Sequence, residues 1–470
     1  MGIRLDWEIE AEQKHIRGTG EDPDGRGARR GRYLRLFLTA AIAIGIVAAG
    51  IGYILYRLDQ VNDEIEQVLR DTVEAEVATL RIGDWSAFAA IQRSATGQWL
   101  AEQRFAFDDY QELLRTDPTA QLTGTILDVT VEDPRARVQV QEIIDGVPYT
   151  RTWFYFRYEE DENGDGIADS WQWFHVPPDV EFWGEPATIE YEHVTVEYRT
   201  VDNLFAEQVA NRLHGWITQA CAALACDPPP ALRVTIVSDA PTRVDWSPED
   251  PWHLIMLSPY VEGARSDQPF DFERQVATAD LFARRLVGTY GSEADLAVGT
   301  DGYFLQWQAV VPWLTGRFIQ VNTESHLIDS LASNYGEETV GRLLRQLQPE
   351  SWISMLTEVT GVPLDEATLD WRDFFTWRLL REQELIAQGN TDAVAQLYDT
   401  SDDAAVQQAF RRAAQAPINE EIEVIVVQRT SPSADGRAQL LATAHIGTGA
   451  SAVEQQILFR LQTNVWKRAD

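Results

Sequence analysis

Apolar positions first form an unbroken block. From Leu36 to Tyr56 no residue is charged. A helix of that length reaches roughly 30 Å, the thickness of a bilayer core. Beyond it the pattern becomes periodic. Val61 to Ile82 reads as an amphipathic helix running on from the span, and Gly83-Asp84-Trp85 breaks it. A short helix then starts at Ser86, and another covers about Gln98–Leu114. The period next drops to two. Ile126, Asp128, Thr130 and Glu132 alternate with Leu127, Val129 and Val131, and alternation returns at Val138–Gln141, Thr152–Tyr158 and Trp171–His175. This predicts half-buried antiparallel strands, broken by Pro148 and by Asn163–Gly166. Helices followed by a curved meander give an α+β roll over residues 57–185.

The middle of the chain, 186–380, has a different rhythm. Thr188–Arg199 alternates as a strand. Asp202–Ala220 is helical, with Leu204, Val209, Leu213 and Ile217 on one face. Leu232–Val237 and Leu254–Leu257 are short apolar strands. From Phe270 onward the pattern is nearly all helical, and Gly361-Val362-Pro363 marks a stop with a restart before Asp365. The last segment, 381–470, repeats the order of the first roll. Helices over about Trp377–Tyr398 and Asp402–Ala413 precede strands at Glu421–Arg429, Ala438–His445, Gln455–Leu461 and Val465–Lys467, with a turn from Pro432 to Gly436. The fold class is therefore multi-domain α+β behind one transmembrane helix.

Charge gives the span a direction. Arg26, Arg29, Arg30, Arg32 and Arg35 precede it, whereas Arg57, Asp59, Asp63, Glu64 and Glu66 follow. The positive-inside rule puts the N-terminus in the cytoplasm and the bulk of the chain outside, at the cell membrane. A cleaved signal peptide is the rival, but its apolar region is usually about 7–15 residues, shorter than this one. Tyr53 and Tyr56 suit the outer interface. Ala41, Gly45 and Ala49 follow one another at helical spacing, as small residues commonly do in such helices. Residues 1–35 are polar and Gly-rich and read as a disordered cytoplasmic tail.

The net charge is −35, and the tail holds eight basic and seven acidic residues, so everything after it carries −36. Such a surface repels phosphate backbones, which argues against nucleic-acid partners. Two cysteines, Cys221 and Cys226, follow a helical run. They fit either a disulfide in an oxidising compartment or two small buried thiols.

One acidic loop has metal-binding spacing. Asp161, Asn163, Asp165 and Asp169 offer side-chain oxygens, Ile167 a carbonyl, and Gly166 a sharp turn. The loop resembles those of EF-hand and thrombospondin type 3 calcium sites, which implies calcium as the cofactor. It departs from the EF-hand where Gln172 stands in place of a bidentate Glu. The same residues also suit an acidic hairpin tip.

Two larger resemblances rest on the order of elements. The helix–helix–meander units, closing on Trp171-Gln172-Trp173 and Val465-Trp466-Lys467, resemble nuclear transport factor 2-like domains, whose cone holds a pocket between sheet and helices. The middle block resembles the peptidase MA family of gluzincins. Val196–Leu213, Leu232–Asp239, Leu254–Pro259, Asn334–Glu338 leading into Leu343-Leu344, and Gly361–Trp371 carry that likeness. The family needs two His one helical turn apart, a Glu beside the first, and a later Glu ligand. The matching helix here reads Ala279-Asp280-Leu281-Phe282-Ala283, and Thr315 stands where the later Glu belongs. His175, His193, His214, His253, His326 and His445 are too scattered to replace them. The resemblance thus implies a pseudopeptidase with no catalytic residues, binding an unknown protein or peptide ligand. The rival is an enzyme that uses a cone pocket or an unrecognised metal site; His175, Trp171 and Trp173 fit a pocket lining, but a satisfied structural histidine is the commoner reading.

Overall fold

The computed structural model describes residues 23–117, 119–160, 170–348, 352–364, 366–415, 420–448 and 452–470. The candidate calcium ligands Asp161, Asn163, Asp165, Ile167 and Asp169 lie outside them. The protein is α+β and separates into two units. One consists of residues up to Glu112 with 128–138 and 155–176, the other of 113–127, 139–154 and 177–470.

In the first unit, helix α1 runs unbroken over sixty residues, Pro23–Ile82. It joins the apolar span to the amphipathic segment and reaches back into the stretch expected as a disordered tail. Pro23 suits a first helical position, and Ala and Arg, both good helix formers, recur behind it. Among the described residues this is one helix long and apolar enough to cross a membrane. Its far end packs a stripe of Leu69, Val73, Val77 and Leu80 into the core, the four-residue spacing of an amphipathic helix. Gly83 stops it at φ 72°, the left-handed cap that glycine adopts without strain. Asp84 then caps α2, Trp85–Ile91, by accepting from the Ala87 N–H. Helix α3, Gly97–Thr116, buries Trp99, Phe107 and Tyr110. Strands β1 (Gln121–Glu132), β2 (Arg135–Ile144), β3 (Val147–Glu160) and β4 (Ser170–Val176) follow. The division into units falls within β1, β2 and β3. Pro148 opens β3 instead of interrupting it, as proline does at a strand's first positions.

In the second unit, the strand expected over Thr188–Arg199 is a hairpin of β5 (Pro186–Glu190) and β6 (Val194–Arg199). Reciprocal backbone hydrogen bonds between Tyr191 and Val194 close its turn, which has no Gly or Pro to announce it. Helix α4 (Asn203–Leu224) leaves β6 and returns to β7 (Leu232–Val237), which lies parallel to β6. Parallel neighbours require such a crossover. Strand β8 (Val244–Trp246) and β9 (His253–Leu257) complete the order β5-β6-β7-β9-β8. The apolar face of α4 contains Val209, Leu213 and Ile217 as expected, but Phe205 is fully buried while Leu204 is 37% exposed. One residue in the register of a helix face is a rotation of about 100°. Cys221 and Cys226 form a disulfide at the end of α4, with Cα atoms 4.8 Å apart. The two-residue strand β10, Ala264–Arg265, pairs with Tyr149–Thr150 of β3.

Helices then dominate: α5 (Phe272–Tyr290), a π-helix at Phe304–Val310, α6 (Val311–Ile319), α7 (His326–Tyr335), α8 (Glu338–Gln346), α9 (Trp352–Thr360) and α10 (Arg372–Ala387). Gly361 stops α9 as expected, but the chain restarts as helix at Arg372, and the boundary expected at 380/381 falls inside α10. The single helix expected to Tyr398 is divided, because Gly389 at φ 70° ends the first part and Asn390 caps α11 (Thr391–Gln396). After α12 (Asp403–Ala413), β11 (Ile422–Arg429), β12 (Gln439–Ile446), β13 (Val453–Gln462) and β14 (Val465–Arg468) form an antiparallel meander in chain order.

Close approach between α8 and α4 depends on Gly341. A β-carbon there would lie 2.5 Å from the Ala223 carbonyl oxygen and 2.8 Å from the Leu224 Cα. Backbone cannot yield as a flexible side chain does. Gly341→Ala is therefore expected to lower unfolding stability by about 1–3 kcal/mol, the usual range for overpacking. Chemical denaturation with an unchanged midpoint would show that the helices separate freely.

Candidate functional site

Charged side chains inside this protein fall into separate clusters, and most are fully occupied with one another. In the first unit Glu76, on the buried face of α1, accepts from Tyr155 (2.7 Å) and Gln92 (2.9 Å) and meets His175 Nδ1 at 2.6 Å. The His175 ring stacks on Tyr155 and meets the edge of Trp99. His175 is 5% exposed, Trp173 is buried, and Trp171 lies at the surface beneath the Arg157 guanidinium. These residues make a hydrogen-bonded interior.

In the second unit, Asp202 precedes α4 and is fully buried. Trp183 donates to it at 2.7 Å, and the Ser258 hydroxyl at the end of β9 donates as well. It ties the start of the helix to the sheet. Burial raises its carboxyl to about 7, because two neutral donors only partly replace lost water.

The positions expected to match a gluzincin motif are apolar in the fold as well as in the sequence. Ala279 and Ala283 have no exposed surface and share a face of α5 with Phe282. The Phe282 ring sits among Trp216, Trp246, Trp252 and Phe318, with centroids 5.9–6.5 Å away. Asp280 turns outward to Arg284 at 2.8 Å. Thr315 is buried on α6, and its hydroxyl has no hydrogen-bond partner. Among the described residues no group of three or more His, Cys, Asp or Glu side chains is arranged to hold a metal.

Convergent polar groups beside open space occur elsewhere. A cavity of about 370 Å³ is walled by the π-helix and α6 (Phe304, Gln308, Pro312), the start of α7 (Glu324, Ser325, His326), α10 (Arg372, Asp373, Thr376, Trp377, Leu380) and β11 (Glu423, Val424). Phe304 and Trp377 stack at 4.9 Å along its apolar wall. A π-turn widens a helix by one residue and recurs at functional sites. Arg372 is held by Asp370 through Nε at 3.0 Å and Nη2 at 2.7 Å, and its Nη2 also meets His326 Nδ1 at 3.3 Å. Both Asp373 oxygens accept the Leu327 N–H at 3.3 Å, and one also accepts the Phe374 N–H at 2.9 Å. Burial, reinforced by the charge of Asp370, raises Asp373 to about 7 against the pull of those N–H donors. Thr376 Oγ1 accepts the Val424 N–H at a β-bulge in β11, which fixes that strand against α10.

These lining residues span more than a hundred positions, and no local motif announces them. Among the residues singled out in the sequence, the cavity takes only His326. The cysteines, Ala279, Ala283 and Thr315 do not line it. No protein-family profile and no curated protein matches the sequence.

The raised carboxyl of Asp202 has a consequence for stability. The folded state holds its proton until about pH 7, whereas an exposed aspartate releases it near pH 4. Folding thus loses stability as pH rises through that window, by up to about 4 kcal/mol from this group. Asp202→Asn removes the titration while leaving an acceptor for Trp183 and a donor for Ser258. Between about pH 5 and pH 8 the wild type should lose more unfolding free energy than the variant. Parallel pH profiles would mean Asp202 stays ionised in the fold.

Proposed function

We propose that this is a membrane-anchored, extracytoplasmic binding or scaffolding protein that performs no catalysis of its own. In this reading α1 supplies a single-pass anchor with a cytoplasmic N-terminus. Residues 57–185 and 381–470 are nuclear transport factor 2-like domains, and 186–380 is a degenerate gluzincin. One observation carries it: every described side chain from Phe37 to Tyr56 is exposed, with no protein packed against it. Such a surface is unfavourable in water and favourable in lipid. The arginines before it supply the direction. A disulfide between Cys221 and Cys226 is in keeping with an oxidising compartment.

The absence of catalysis is argued from the packing of α5. Imidazoles at 279 and 283 would have to replace two methyl groups sealed in an apolar core. The cavity beside α10 then becomes the candidate binding surface.

Two outcomes test the reading. A reporter fused after Asp470 should be active only outside the cytoplasm, and the protein should remain with membranes through a carbonate wash. A soluble cytoplasmic product defeats the anchor. Purified protein should leave unstructured casein intact with or without added zinc, and cleavage abolished by a chelator would falsify the pseudopeptidase assignment.

A further inference from the structure

We propose that the cavity between the π-helix, α7, α10 and β11 binds an organic cation, an ammonium or guanidinium head on an apolar stem. The proposal rests on the binding role above and names the ligand class for it.

The cavity has two chemically distinct ends. Phe304, Trp377, Pro312 and Leu380 offer an apolar wall, and its volume of about 370 Å³ suits a small molecule or one or two side chains. Glu324, Asp373 and Glu423 bring three carboxyl groups to the same space. The lining arginine, Arg372, is already matched by Asp370 through contacts of 2.7–3.0 Å. Among the described lining residues Arg372 is the one guanidinium, and its charge already acts on Asp370, Asp373 and Glu423, so an anion entering here would compete with three carboxylates for it. A neutral apolar ligand would fill the aromatic end but leave the carboxylates desolvated. A cation on an apolar stem satisfies both ends. The charge of −36 beyond the cytoplasmic tail also draws cations toward the surface.

Full-length protein in nanodiscs, titrated by calorimetry with hexylamine and with a blocked arginine-containing tripeptide, tests this. Hexanol and the citrulline tripeptide serve as neutral counterparts. Both cations, or one of them, should bind at least about ten-fold more tightly than the matching neutral probe. Tighter binding of the peptide identifies a basic side chain as the source of the head, and binding of hexylamine alone identifies a free amine. Glu423→Gln, on the exposed face of β11, should weaken cation binding several-fold without touching the fold. Asp373→Asn should weaken it further. Binding should also tighten between about pH 6 and pH 8 as Asp373 ionises. Glu324, His326, Asp370, Arg372 and Glu423 are the other titratable or charged groups facing it. Equal affinity for charged and neutral probes would overturn the cation assignment while leaving a binding role. No binding of any probe by protein that remains membrane-anchored, or unchanged affinity in both variants, would remove the cavity as this site and leave the anchorage intact.

Discussion

Arg378 is the joint on which the second unit turns. Buried on α10, it pairs with Asp301 at 2.8 Å just ahead of the π-helix and donates to the Trp466 carbonyl of β14 at 3.0 Å. One guanidinium thus fastens the helical block and the last meander to the same helix. Breaking such a buried pair typically costs about 3–5 kcal/mol, because the partner charge is left without water. The neighbouring turn of α10 presents Asp373, Thr376 and Trp377 to the cavity, so the geometry of that site follows from how firmly Arg378 holds the helix. Phe374 and Phe375 extend the joint with rings packed on Phe304, Trp371, Phe459 and Trp466.

Buried carboxyls take two opposite courses in this unit, and their partners decide which. Asp399 meets Arg460 at 2.7 Å and Arg437 at 3.1 Å and accepts from Ser401. Burial alone would raise Asp399, but those donors outweigh it and hold the group at about 2. Asp202 and Asp373, given neutral donors only, rise to about 7. Asp399 therefore keeps its charge through the physiological range, whereas Asp202 at the start of α4 and Asp373 in the cavity wall change state within it. A sequence so rich in acid and so poor in lysine relies on arginine for the first behaviour.

Periodicity made most elements legible. The alternation from Ile126 and from Glu421 locates real strands, and the helical stripe of α4 is real apart from one position. Errors cluster where the backbone turns. Tyr191–His193 reverses the chain with no Gly or Pro, and Gly389 divides what read as one helix to Tyr398. The cavity was not legible at all. Its walls come from five elements between Phe304 and Val424, and a π-turn has no residue signature comparable to a capping box. Conversely, the buried face of α5 could be read directly, since Ala279, Phe282 and Ala283 recur at helical spacing.

The unbroken course of α1 carries a mechanical meaning. Sixty helical residues extend about 90 Å. The exposed apolar stretch and the buried stripe from Leu69 to Leu80 belong to one stiff rod, with no proline between them to act as a swivel. Tilt or rotation of the apolar end would be handed directly to the core that grips the other end, and through Glu76 to the His175 cluster. A flexible tether would isolate those side chains from whatever holds the apolar end, whereas this rod makes them a lever's far arm.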